Sequence, residues 1–131
     1  METVVLEEWF PAAPEEVFRA WLDSKAHAAF TGGAAVIDPN PGGVFSAWDG
    51  YIEGRTIEVD RPRRIVQSWR TSDFPPEAKD SRLLLELRAE RGGTRLVLHH
   101  TEIPDGQGVD YAQGWLDHYF EPLKHYFGPA I

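Results

Sequence analysis

The chain has 131 residues, no cysteine and a formal net charge of -8, from 13 Lys and Arg against 21 Asp and Glu. One domain with a sizeable core is expected at this length, and the absence of cysteine excludes disulfides, zinc–thiolate sites and cysteine nucleophiles. The negative charge opposes nucleic-acid binding and adsorption to anionic lipid, both of which need Lys and Arg.

The opening METVVLEEWF has neither a basic region nor a long apolar core, so a signal peptide is not expected. No apolar run reaches the ~20 residues of a membrane span. A cytoplasmic globular protein with a small-molecule or protein partner is the expectation. Thr3–Phe10 is rich in β-formers and reads as a strand. Pro14, followed by Glu15 and Glu16, is a helix start, and Val17, Phe18, Trp21 and Leu22 fall on one helical face. Asp23 or Ser24 ends that helix and can cap a second short one, Lys25–Phe30, which Gly32 and Gly33 stop. Six strand-like segments follow: AAVID, VFSAW, GYIEGRTIEV, RIVQSW, RLLLELRAER and TRLVLHHTEI. With no helix between them they imply an antiparallel meander. The polar, proline-containing stretch Asp73–Ser81 reads as a surface loop.

Gly92-Gly93 reads as a two-residue hairpin loop, which pairs Leu85 with His100 and Leu87 with Leu98. Leu83, Leu85, Leu87, Ala89, Leu96 and Leu98 then share one face, opposite Glu86, Arg88, Glu90, Arg95 and His99. The same alternation groups Ile65, Gln67 and Trp69, and groups Arg55, Ile57 and Val59. Arg55, Gln67 and His100 are therefore the expected polar intruders on an apolar sheet face. Val109–Phe127 must cover that face, through a broad stripe of Ala112, Leu116, Tyr119, Phe120, Leu123 and Phe127, with a kink at Pro122. Such a helix either fills the core or walls a cavity, and the sequence leaves both open.

Catalytic signals are sparse. His99 and His100 point to opposite faces of a strand, and His118 and His125 are separated by the Pro122 kink. With HEXXH absent, no metal is expected. Glu102, near Pro104, falls on the inward parity and could sit at a pocket mouth, yet spacing fixes no carboxylate pair. G-x-S-x-G, G-x-G-x-x-G and P-loop patterns are all missing, so neither a serine nucleophile nor a nucleotide cofactor is implied.

The order of elements resembles the START-like (SRPBCC) helix-grip fold. Within it, PEEVFRAWLDSKAHAAFTGG, GGVFSAWDGYIEGRTIEVDRPRRIVQSWR and GGTRLVLHHTEIP with its following Gly-Trp-x-x-x-Tyr helix resemble the family named for the activator of the heat-shock chaperone ATPase (the AHSA family). The resemblance spans about residues 3–127. It implies an α+β fold with a curved antiparallel sheet, two short helices after the first strand and a long C-terminal helix. It also implies a hydrophobic pocket between sheet and helix, and His100 matches a histidine common at this place in the family. The expected function is a non-enzymatic binding module for an apolar or amphipathic small molecule. Trp69, Leu85, Leu87, Leu98, Trp115, Tyr119 and Leu123 would form its apolar wall, and Arg55, Gln67 and His100 its polar contacts. Two alternatives remain: a cyclase-like or hydrolase-like enzyme with His100 or Glu102 as base, and a chaperone-associated interaction module.

Overall fold

The computed structural model describes residues 1–128. In chain order its strands are β1 (Glu2–Phe10), β2 (Val36–Ile37), β3 (Val44–Ala47), β4 (Ile52–Asp60), β5 (Arg64–Thr71), β6 (Ser81–Glu90) and β7 (Gly93–Ile103). They form one antiparallel, curved sheet in the order β1-β7-β6-β5-β4-β3-β2. The chain crosses from β1 to the far edge through α1 (Pro14–Leu22) and α2 (Ser24–Thr31). Asp23 joins these helices: its side chain accepts from the Ala26 N–H at 2.9 Å and satisfies an otherwise orphaned donor. Gly32, at φ 84°, closes α2 in the left-handed conformation that glycine adopts without strain.

The last helical stretch has three parts: α3 (Gly108–Trp115), a π turn (Leu116–Phe120) and α4 (Glu121–Phe127). The Glu121 N–H reaches five residues back, to the Leu116 carbonyl. Pro122 explains why. Its ring would strike the carbonyl four residues earlier in a regular α-helix, and the wider turn just before it removes that conflict. The extra residue also rotates the buried face. Trp115, Tyr119, Phe120 and Leu123 are buried, whereas Leu116, expected on the inward stripe, is 40% exposed.

Three expectations about the sheet are corrected. The hairpin loop is Arg91-Gly92, both at positive φ (51° and 75°), as a type I′ turn requires. Leu83 therefore opposes His100, and Leu85 opposes Leu98. Each partner moves by two positions from the expected register. A shift of two preserves the face, so the leucines and His100 still point inward while Ala89, beside the turn, is exposed. Gly93 is a glycine for another reason: a Cβ there would run into the Phe10 carbonyl oxygen and the Trp9 ring.

Secondly, β4 carries an irregularity between Thr56 and Glu58 that resets its alternation. Thr56 is fully buried, and Arg55 and Ile57 are exposed. Arg55 is thus not an inward contact; its guanidinium donates to the Gly42 carbonyl at 3.1 Å on the surface. Thirdly, the pairing of β1 with β7 is irregular near Glu102, which sits at φ 59° and is exposed, while Ile103 is buried in its stead.

Candidate functional site

A cavity of about 310 Å³ lies between the last helical stretch and the β3–β5 end of the sheet. Trp48, Tyr51, Ile52 and Trp69 border it from the sheet side. From the helix come Tyr111, Gly114, Trp115, His118 and Tyr119, which recur at helical spacing. Trp69, Trp115 and Tyr119 are buried, while Tyr51 and His118 are exposed at its rim. Ring centroids lie 5.4 Å apart for Trp69–Trp115 and 4.8 Å for Trp115–Tyr119. Tyr111 meets Trp69 at 5.0 Å with planes 82° apart, an edge-to-face contact.

Buried polar groups hold these rings in place. The Trp115 indole N–H can only donate, so His100 Nδ1 accepts it, at 3.1 Å. His100 Nε2 therefore carries the proton and donates to Ser81 Oγ at 2.8 Å; that hydroxyl donates to the Trp69 carbonyl at 2.6 Å. His100 is fully buried, and burial pushes its pKa down to about 3. Both ring nitrogens are committed, and no lone pair is free to take a substrate proton.

His27, which the sequence reading did not single out, does the same on the other side. Its Nδ1 donates to the Trp21 carbonyl at 2.9 Å, so its Nε2 accepts from the Tyr119 hydroxyl at 2.9 Å. Burial lowers its pKa to about 4, partly opposed by the bond to Trp21. Gln67 accepts from the Trp21 indole at 3.2 Å and donates to Thr56 at 3.3 Å. At the mouth, Tyr51 donates to Asp73 at 2.6 Å and Tyr111 to Gln107 at 2.7 Å. Burial, then the bond to Asp73, pushes the Tyr51 pKa up to about 12.

Trp48 is the strained member. It sits at φ 51°, in the left-handed region that bulky residues rarely enter, and Asp49 follows at φ 59°. Asp49 fixes the turn by accepting from the Ala34 N–H at 2.9 Å. Gly33 leaves room for it: a Cβ there would lie 2.9 Å from the Trp48 ring.

Of the expected pocket residues, Trp69, Trp115 and Tyr119 border the cavity. Gln67 and His100 stand behind it as hydrogen-bond partners of Trp21 and Trp115. Leu85, Leu87, Leu98 and Leu123 are packed in the core and do not line it, and Arg55 is on the surface. Trp48, Tyr51, Ile52, Tyr111, Gly114 and His118 were missed. The spacing 111, 114, 115, 118 did carry a signal, but the stripe was phased on Leu116. Among the described residues, no three His, Asp or Glu side chains converge to hold a metal ion.

The sequence profile described as activator of Hsp90 ATPase homolog 1-like protein matches residues 11–128. The chain belongs to that family. It is 30% identical over 125 residues to the human activator of 90 kDa heat shock protein ATPase homolog 1, a match covering 95% of this chain and 37% of that protein. The chain thus spans little more than a third of the curated relatives it matches. An HSP90 activator from Plasmodium falciparum, PFC0360w, superposes with a TM-score of 0.80 at 26% identity, covering 89% of each chain. CalU16 from Micromonospora echinospora superposes at 0.81 with 25% identity, over 97% of this chain and 76% of that one. The AHSA family and the helix-grip architecture are those expected from the sequence. Among the described residues no helix is long and apolar enough to cross a membrane.

Proposed function

We propose that this chain is a single START-like domain and a non-enzymatic binding module, which takes a small apolar or amphipathic molecule into the aromatic cavity. One observation carries the reading: an open space of about 310 Å³ is walled by rings that hydrogen bonds hold apart. That volume lies at the lower end of the ~300–1,000 Å³ range of small-molecule sites. The two bases that the sequence offered do not serve an enzymatic reading. Both His100 nitrogens are engaged, and Glu102 is exposed beyond a strand irregularity. Titration with a neutral apolar dye such as Nile red tests the proposal. Micromolar binding with quenching of tryptophan fluorescence is expected. A flat titration of folded protein with dye and fatty acids alike would overturn it.

A second reading follows from the relatives: the human protein is named an activator of 90 kDa heat shock protein ATPase homolog, and the Plasmodium structure an HSP90 activator. In that reading the domain docks on a chaperone through its outer surface. Binding to a purified chaperone of that class that survives obstruction of the cavity supports it; no binding at micromolar concentration removes it.

A further inference from the structure

We propose that the cavity selects an organic cation, a methylated ammonium group on an apolar body, over an uncharged molecule of the same shape. The proposal rests on the ligand-binding reading above and deepens it. Two features of the walls carry it.

The first is the electronic state of the rings. All three cavity tyrosines donate their hydroxyl protons away to protein acceptors: Tyr51 to Asp73, Tyr119 to His27, and Tyr111 to Gln107 while its oxygen accepts from Thr71 Oγ1 at 2.6 Å. The Trp115 indole N–H is likewise given to His100. A ring that donates a hydrogen bond outward gains electron density, most of all when the acceptor is a carboxylate, as for Tyr51. Electron-rich aromatic walls attract a cation through the ring quadrupole, and desolvation strengthens that attraction. Trp69 and Tyr111, with planes 82° apart, belong to different walls and not to one stack, as an aromatic cage requires.

The second is the charge around the mouth. Among the described residues no Lys, Arg, Asp or Glu lines the cavity, and His118 stands exposed at its rim. Asp49, Asp110 and Asp117 are exposed, each next in sequence to a lining residue, and exposed Asp73 accepts from the hydroxyl of lining Tyr51. Arg70, next to Trp69 in sequence, is neutralised by Asp80 at 3.0 Å and also donates to the Ala78 carbonyl. A net charge of -8 adds a long-range field of the same sign.

Benzyltrimethylammonium and its uncharged carbon isostere, neopentylbenzene, provide the test, titrated against the whole chain by tryptophan fluorescence beside the neutral dye. The ammonium is expected to bind at least about tenfold tighter than the hydrocarbon and to displace the dye. Added salt should narrow the preference, and Asp73→Asn, on an exposed loop, should narrow it a few fold. Equal or tighter binding of the hydrocarbon, with the dye still bound, overturns the cation proposal and leaves the cavity reading standing. Failure of all three probes to bind folded protein overturns both.

Discussion

The two ends of the space beneath the last helical stretch hold different kinds of side chain. Towards α1 and α4 the core is Phe10, Phe18, Leu96, Leu98, Phe120 and Leu123, each 0 or 1% exposed. Towards α3 and the π turn it is Trp21, Trp69, Trp115 and Tyr119, and there the cavity opens. Both ends are apolar, so hydrophobicity does not separate them. Leu and Phe side chains, which have no polar atom to satisfy, take the rotamers that let them interdigitate closely. Three of the rings at the other end cannot: Trp21 is tied to Gln67, Trp115 to His100 and Tyr119 to His27. Rotating a ring to fill the space would break a buried hydrogen bond, at a cost of about 1–3 kcal/mol. His100, a candidate base in the sequence, acts here as a strut beside Gln67 and His27.

Breaking the packed end should cost the most. Leu98→Ala is predicted to destabilise the fold by about 2–5 kcal/mol, because a fully buried side chain leaves a hole. Under conditions where the variant remains folded, dye affinity should stay near wild type. A large loss of affinity in that folded variant would mean that the two ends are not separate.

The struts predict acid sensitivity. His27 and His100 have folded pKa values near 4 and 3, below the ordinary 6.5. As pH falls the unfolded chain takes up the protons first, so stability is full above about 6.5 and declines from there until the folded values are reached. At about pH 5 the loss is about 2 kcal/mol for each histidine. His100→Phe should flatten that decline. It should also cost about 1–3 kcal/mol at neutral pH, because the buried Trp115 N–H loses its acceptor. Urea midpoints measured across the range check both; an unchanged pH dependence would mean that His100 is not desolvated.

A smaller effect separates the two glycines of the hairpin. Gly93→Ala should destabilise more than Gly92→Ala. The first places a Cβ against the Phe10 carbonyl, while the second meets no atom and adds only the strain of positive φ, about 1 kcal/mol. Equal midpoints for the two variants would contradict the register described above.

Much of the fold was legible because long alternating segments and cap residues are local signals. Leu83 to Leu87, Asp23 and Pro14 are examples. What misled were single-residue events. The irregularity beside Ile57 turned Arg55 outward, another near Glu102 moved that carboxylate to the surface, and the π turn moved Leu116 out. Each depends on pairing with a distant strand or on the ring of Pro122, which periodicity along one segment does not register. His27 escaped notice because its partner Tyr119 is 92 positions away.

Gly114 gives the most direct test. It lies on α3, borders the cavity, and a Cβ built on it meets no atom within 4 Å. Replacing a helical glycine improves helix propensity by up to about 1 kcal/mol. Gly114→Leu is therefore predicted to fold with stability equal to or slightly above wild type and to lose dye binding, because the new side chain occupies the open space. A variant destabilised by several kcal/mol, or one that still binds dye at wild-type strength, would contradict a pre-formed cavity at this place.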